Sequence, residues 1–142
     1  MCIRDRYEDS KKNLWVGTLD GGLCWYDRKN NNFLCFKNDP NDTTSLTNNL
    51  VRCLNESSDG KLYVGFKEGG FSYFQIPENV TAKIAFTNFP FRQGANATEY
   101  ISVGDIIEDD DKTMLVAVTE TGVHRFNPVS YTHLTLPTIL RV

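Results

Sequence analysis

The sequence predicts an all-β fold assembled from repeated four-stranded antiparallel units, and three observations support this prediction. Thirteen-residue segments beginning at Leu14, Leu62 and Met114 align without gaps, so the repeat offsets are 48 and 52 residues. Short apolar and aromatic runs alternate with turns rich in Gly, Asn, Asp and Ser, which is typical of strands. No stretch of useful length has the period of a helix, and this excludes helical solenoids.

The middle unit defines the strands of one repeat. Residues 51–56, 61–66, 70–75 and 82–87 are predicted as four consecutive strands. The first two are joined by a hairpin turn at 57–60, where Gly60 is free to adopt positive φ.

Four antiparallel strands in each unit of 40–50 residues fit a blade of a β-propeller. We therefore predict a partial β-propeller of about two and a half blades from a larger ring. A β-sandwich also has short strands, but it need not repeat a thirteen-residue pattern. The coils of a β-helix are much shorter than this period.

The repeats divide the chain into segments. We expect a partial blade at 7–36, an inter-blade loop at 37–49 and a complete blade at 50–87. A second inter-blade loop at 88–100 and a partial blade at 101–128 follow.

Both ends of the chain are expected to be foreign to the natural protein. Residues 1–6 resemble a translation of a transposase-adapter oligonucleotide used in sequencing libraries, and residues 129–134 match a translation of its reverse complement, so we expect 1–6 and 129–142 to be foreign. We therefore expect no function for Cys2 and His133, and we expect the natural protein to continue in both directions.

Composition narrows the function classes. The chain has 142 residues, 40% hydrophobic, with a net charge of −3 and without clusters of basic residues, so nucleic-acid binding is disfavoured. No apolar run is long enough for a membrane helix, and no signal peptide is visible. No CxxC spacing or calcium-loop pattern appears, so we expect neither a metal nor a cofactor.

The repeat motif resembles a known family. An acidic turn followed by the sequence from Leu14 to Tyr26, LWVGTLDGGLCWY, is similar to the two-component regulator propeller repeat. The linker that contains Asn38-Asp39-Pro40-Asn41 is similar as well. Later units depart from the motif: Tyr63 and Leu115 replace the Trp, Ala117 replaces the first Gly, and Thr121 replaces the first member of the Gly pair. The positions that we interpret as structural are Trp15, Gly17, Gly21, Gly22, Tyr63, Gly65, Gly69, Gly70 and Gly122.

The resemblance implies an extracytoplasmic, periplasmic sensor of a bacterial hybrid two-component receptor that responds to glycans or related nutrients. It implies further blades, a membrane span and a kinase elsewhere in a parent receptor that dimerises. For the segment itself we expect an oligosaccharide ligand and no enzymatic activity.

Propeller geometry places a candidate ligand site. The loops 19–22, 67–69 and 119–122, with the longer 37–49 and 88–100, should emerge on one face. The 88–100 loop combines aromatic rings with amide and guanidinium donors, which suit a sugar: Phe89, Phe91, Arg92, Gln93, Asn96 and Tyr100. The favoured alternative is that Phe89 and Phe91 pin this loop between blades.

Several other residues have a structural interpretation. Trp15 is expected to pack between blades, whereas the position of Trp25 tolerates exposure. Asp109-Asp110-Asp111 is expected to form a solvated hairpin turn, and His124 to lie on a strand surface.

The natural cysteines leave two alternatives. Cys24 and Cys35 would face each other if Asp27 pairs with Asn32, and a periplasmic disulfide would then form. Three free thiols, including Cys53, are the favoured expectation.

The sequence also bears on two other function classes. A propeller lyase or glycosidase needs convergent carboxylates. Asp20, Glu68 and Glu120 recur at one position of each repeat, which indicates a turn role in each blade. A protein-interaction scaffold is not distinguished from a glycan sensor by the sequence.

Overall fold

A computed structural model describes residues 3–81, 83–89, 102–119, 122–130 and 132–135. It contains twelve strands in three four-stranded antiparallel sheets, and no helix occurs in this described part of the chain. The strands of each sheet follow chain order, as in a propeller blade.

The three sheets are referred to as blades 1, 2 and 3. Blade 1 contains β1 (Ile3–Glu8), β2 (Leu14–Thr18), β3 (Leu23–Asp27) and β4 (Asn32–Phe36). Blade 2 contains β5 (Val51–Glu56), β6 (Lys61–Phe66), β7 (Phe71–Gln75) and β8 (Thr87–Phe89). Blade 3 contains β9 (Val103–Glu108), β10 (Met114–Val118), β11 (Gly122–Asn127) and β12 (Thr132–Thr135).

The predicted all-β, partial-propeller fold is confirmed. The first strands of successive blades contact one another, β1 with β5 and β5 with β9, so the sheets are neighbours in chain order. The strand register also repeats: Ile3 pairs with Thr18, Val51 with Phe66 and Val103 with Val118.

Two apolar cores lie between neighbouring blades. The first joins blades 1 and 2 and includes Trp15, Leu23, Leu62 and Phe74. The second joins blades 2 and 3, with Tyr63 and Phe71 from one side and Ile106 and Phe126 from the other. Each sheet thus buries its apolar face against the next sheet, which is how a propeller is stabilised.

The turn between the first two strands is repeated three times. In each copy, the backbone N–H of the first turn residue donates a hydrogen bond to the carbonyl of the residue four positions later. The pairs are Asp9 with Asn13, Ser57 with Lys61 and Asp109 with Thr113. The penultimate residue of each turn has positive φ: Lys12 (68°), Gly60 (83°) and Lys112 (68°). The prediction of a hairpin turn at 109–111 is therefore confirmed.

The fourth strand of blade 2 differs from the prediction. It lies at Thr87–Phe89 instead of 82–87, because the Phe86 N–H donates to the Thr44 carbonyl of the preceding inter-blade loop at 2.8 Å. This bond diverts the segment before Thr87 away from β7, although Ile84 and Phe86 still pack on the same core.

Two strands extend into the predicted adapter segments. β1 begins at Ile3, inside 1–6, and β12 lies wholly inside 129–142. With β12, blade 3 has four strands instead of the predicted partial set. The foreign origin of both segments stays a prediction.

The expectation for His124 was wrong. Its side chain is buried. Alternate side chains of β11 point into the core, and His124 lies on the same buried face of the strand as Phe126. Within the described residues, no helix is long and apolar enough to cross a membrane.

Candidate functional site

A cavity of about 450 Å³ opens where the 37–49 loop meets the β6–β7 turn. The two segments were predicted to share one face of the propeller, and the structure brings them together there. The cavity is lined by carboxylates, amides and hydroxyls around one leucine and one proline: Asn38, Asp39, Pro40, Asp42, Thr43, Ser45, Leu46, Thr47, Asn48, Glu68, Gly69 and Asn88.

Two side chains give the 37–49 loop its shape. The Ser45 hydroxyl accepts a hydrogen bond from the Asp39 N–H at 2.8 Å and donates to the Asp42 carbonyl at 2.8 Å. The Asp42 carboxylate accepts from the Thr44 N–H at 2.9 Å and from the Thr44 hydroxyl at 2.6 Å. Such Asx and Ser turns replace the ladder bonds that a loop lacks.

The loop is fastened to blade 2 at several points. Leu46 is fully buried in the first core, and the Thr47 hydroxyl donates to the Gly69 carbonyl at 3.0 Å. The Asn88 amide donates to the carbonyls of Thr43 and Ser45 at 3.1 and 2.8 Å. The cavity wall is therefore held in place before any ligand arrives.

Electrostatically the cavity favours ligands that donate hydrogen bonds. The side-chain hydrogen bond from Thr44, followed by that from its backbone N–H, lowers the pKa of Asp42, which keeps this carboxyl ionised at neutral pH. Asp39 and Glu68 place further carboxyl groups on the lining. Carboxylates and amides bind hydroxyl groups through well-directed hydrogen bonds. Among the described residues, no aromatic ring lines the cavity.

The predicted ligand residues are only partly within the described structure. Phe89 stacks on Phe71 with ring centroids 5.4 Å apart and meets Phe126 edge-on at 4.5 Å. It thus packs between blades 2 and 3, which supports the pinning interpretation. Phe91, Arg92, Gln93, Asn96 and Tyr100 lie outside the described residues.

The repeat positions explain how the blades approach. Trp15 is fully buried and meets Phe74 of blade 2 edge-on at 5.1 Å, so its predicted packing between blades is confirmed. A Cβ on Gly17 would lie 2.5 Å from Val51 Cγ1, which is why this position of β2 holds glycine. Trp25 is half-buried and donates to Asn13 at 3.2 Å.

The second residue of each Gly pair requires glycine for its backbone. Gly22, Gly70 and Gly122 have φ of 75°, 77° and 89°, a region that other residues rarely adopt. At Gly22 a Cβ would also meet the Phe36 carbonyl oxygen at 2.0 Å. The first member of the pair is the one that the third unit replaces, with Thr121.

The cysteine expectation was wrong. Cys24 and Cys35 form a disulfide because Asp27 does pair with Asn32, and this register sets the two cysteines directly opposite each other on β3 and β4. Cys53 keeps a free thiol, and burial raises its pKa to about 12.

The recurring carboxylates do not converge in the described structure. Asp20 and Glu68 lie in equivalent turns of separate blades, and Glu120 lies outside the described residues. Within the described residues no group of three or more His, Cys, Asp or Glu side chains could hold a metal ion.

None of the twelve residues that line the cavity was among the predicted ligand residues; the polar ones include Asp39, Asp42, Ser45, Glu68 and Asn88. The sequence contained a partial signal for them. The sequence predicts that the 37–49 loop lies on the same face as the 67–69 turn, and the linker motif Asn38-Asp39-Pro40-Asn41 lies in this loop. Its polar residues are typical of turns, so the sequence does not single them out as ligand contacts.

The fold and the inter-blade packing define this chain as part of a β-propeller. A family model described as a two component regulator propeller matches residues 1–20. A comparison with curated protein sequences returned no match.

Solved structures with the same fold include extracellular domains of bacterial signalling systems that are described as two-component or one-component. Two structures of the extracellular domain of a B. thetaiotaomicron system, described once as hybrid two-component and once as one-component, have TM-scores of 0.72 and 0.70. Their identities are 22% and 23%, and each match covers 94% of this chain and 18% of the other.

A third similar structure is PorZ, a surface component of the type-IX secretion system of Porphyromonas gingivalis. It has a TM-score of 0.53 and 14% identity, and the match covers 96% of this chain and 27% of that one. This chain therefore spans less than a third of the length of each of these proteins.

Proposed function

We propose that the chain is part of an extracytoplasmic sensor propeller of a hybrid two-component receptor that recognises glycans or related nutrients. The cavity between the 37–49 loop and the β6–β7 turn would contact the ligand. The segment itself binds without catalysing a reaction, and signalling belongs to receptor domains beyond it.

The observation that carries this proposal is the cavity itself. It is lined by preorganised carboxylate, amide and hydroxyl groups on the loop face of a rigid scaffold, where propellers and similar folds bind ligands. The Asp39, Asp42 and Glu68 carboxylates match the hydroxyl donors of a sugar.

The location is supported by chemistry as well as by fold. A disulfide such as Cys24–Cys35 persists in oxidising compartments and is rare in the cytosol. The structural likeness to extracellular receptor domains agrees with this location. A periplasmic site is the specific form that we propose.

The test uses the complete propeller that contains this segment, titrated calorimetrically with a panel of oligosaccharides. Glu68→Gln and Asp39→Asn should each weaken binding about tenfold, since each removes a charge-assisted hydrogen bond. Glu78→Gln is the matched control. Glu78 is an exposed carboxylate paired with Lys11 at 2.9 Å, and it does not line the cavity.

Three outcomes would contradict the proposal. Equal losses for Glu78→Gln and Glu68→Gln would exclude the cavity as the site. Release of a shorter sugar during titration would indicate a glycoside hydrolase or lyase. Failure of every sugar, together with stoichiometric binding of a protein domain from the same receptor, would indicate an interaction scaffold.

A further inference from the structure

A serine–glutamate contact joins successive blades and occurs twice. The Ser10 N–H and hydroxyl of blade 1 donate to the Glu56 carboxylate of blade 2 at 2.9 and 2.7 Å. The Ser58 N–H and hydroxyl of blade 2 donate to the Glu108 carboxylate of blade 3, both at 3.1 Å. In each case the turn after the first strand of one blade meets the end of the first strand of the next.

A second inter-blade contact repeats in parallel. Gly17 of β2 faces Val51 of β5, and a Cβ on Gly65 of β6 would lie 2.9 Å from Val103 Cγ1 of β9. The serine in the turn and the glycine in the second strand thus form one docking pattern. The next blade meets this pattern with a glutamate and a valine.

Blade 3 does not continue this pattern on its open side, which is the side that faces away from blade 2. The repeat offsets place Asp110 where Ser10 and Ser58 stand, and Ala117 where Gly17 and Gly65 stand. The Asp110 N–H, which would be the backbone donor, instead bonds the Asp109 carboxylate at 2.8 Å. This side therefore presents a carboxylate and an added methyl group.

On its own open side, blade 1 keeps the glutamate of this pattern, and Ile3 stands at the valine position. Glu8 is equivalent to Glu56 and Glu108, and Lys12 is equivalent to Lys112, whose ammonium donates to Ser58 at 3.1 Å. The Glu8 carboxylate is exposed and lies 3.7 Å from both Lys12 and Arg28 of its own blade.

We propose that the open side of blade 3 docks a further blade of the same protein whose first strand ends in a basic residue instead of glutamate. Charge complementarity with Asp110 selects that residue, because a glutamate there would place two carboxylates in contact. Opposite Ala117 the same blade carries a residue smaller than valine.

The same charges prevent a second copy of this chain from occupying that side. Head-to-tail closure would bring Asp110 of one copy against Glu8 of the next, at the position where the repeat requires a serine. The two open sides are therefore not complementary to each other, and the segment does not close on itself into a ring.

Sedimentation velocity of the chain and its variants tests this proposal. Asp110→Ser with Ala117→Gly restores the repeat pattern and should strengthen head-to-tail self-association by about tenfold or more. Adding Glu8→Lys to this double variant should return its self-association to the wild-type level. Glu78→Ser, which removes an exposed carboxylate from blade 2, should leave the wild-type behaviour unchanged.

A single substitution guards against a folding defect in the double variant. Asp110→Lys changes one exposed side chain and should also promote association, through Glu8 of a second copy. If neither variant associates more tightly than the wild type, or if the gain does not depend on Glu8, the proposal is wrong. Wild-type chains that assemble as tightly as the variants would identify a second copy as the occupant.

Discussion

The Trp15 indole N–H donates to the Asp9 carboxylate at 2.8 Å, in the buried interior between blades 1 and 2. The equivalent pairs in the other units change together. Blade 2 has Tyr63 with Ser57, and the buried Tyr63 hydroxyl has no hydrogen-bond partner among the described residues. Blade 3 has Leu115 with Asp109, and there Arg125 satisfies the carboxylate at 2.9 Å.

This relationship predicts opposite effects for two similar truncations. Trp15→Phe should lower the free energy of unfolding by about 2 to 4 kcal/mol, because it removes a charged hydrogen bond and leaves a cavity. Tyr63→Phe should raise it by up to about 1 kcal/mol, because a buried unpaired hydroxyl is removed. Urea denaturation of the chain, followed by far-ultraviolet circular dichroism, measures both.

The comparison is contradicted if Tyr63→Phe destabilises as much as Trp15→Phe does. That result would mean that a water molecule bonded to the Tyr63 hydroxyl contributes to stability. Trp25→Phe serves as a control, since this half-buried indole bonds Asn13 at 3.2 Å and its loss should cost less.

Close approach of the blades predicts a coupled pair at Gly17 and Val51. Gly17→Ala alone should destabilise by about 1 to 3 kcal/mol, because its Cβ would lie 2.5 Å from Val51 Cγ1. Combined with Val51→Ala, the added methyl group finds space, so the double variant should be less destabilised than the sum of the singles. A double-mutant cycle in urea measures the coupling, and simple additivity would exclude the contact.

The repeated parts of the fold could be predicted from the sequence because each unit must bury the same face against its neighbour. The positions of Trp15 and Gly17 already specified that packing, and the hairpin turn at 57–60 followed from Gly60. β5 and β6 were predicted at their observed bounds, since turn residues delimit both strands. Local pattern was sufficient for the strands and turns that are delimited by turn residues.

Features that depend on distant partners could not be predicted in this way. The start of β8 is set by Thr44, which takes the Phe86 N–H, and nothing near Phe86 in the sequence reveals that bond. The cavity has the same origin, because Asn88 joins it through carbonyls more than forty residues earlier. The Cys24–Cys35 pairing depended on a register that the sequence left open.

Cysteine accessibility gives the third prediction. In the native chain, alkylation at neutral pH should modify none of Cys24, Cys35 and Cys53, because two form the disulfide and the third is a buried thiol whose pKa is about 12. Unfolding without a reductant should expose Cys53 alone of the three, and reduction should expose all three. Peptide mass spectrometry reports each site, and native labelling of Cys35 would contradict the disulfide.

The Asp42 carboxyl of the 37–49 loop gives the fourth prediction, a dependence of loop stability on pH. Hydrogen bonds from the Thr44 hydroxyl and N–H lower its pKa below the ordinary value of 3.8. A carboxyl with a lowered folded pKa contributes stability that is present above the unfolded pKa and is lost as pH falls through the folded pKa. The loop should therefore keep its structure at neutral pH and loosen only in acid below 3.8.

Thr44→Val removes the side-chain donor without a large change in shape, so it should move the pKa of Asp42 back toward 3.8. Thr43→Val is the matched control: Asp42 receives its side-chain hydrogen bond from Thr44, so the pKa should stay low. Carboxyl carbon shifts in an NMR titration measure the value directly. Because Asp42 lines the cavity and Thr44→Val keeps its carboxylate, Thr44→Val should weaken oligosaccharide binding at neutral pH less than Asp42→Ala does. An unchanged pKa in Thr44→Val would show that the Thr44 hydroxyl does not stabilise the carboxylate.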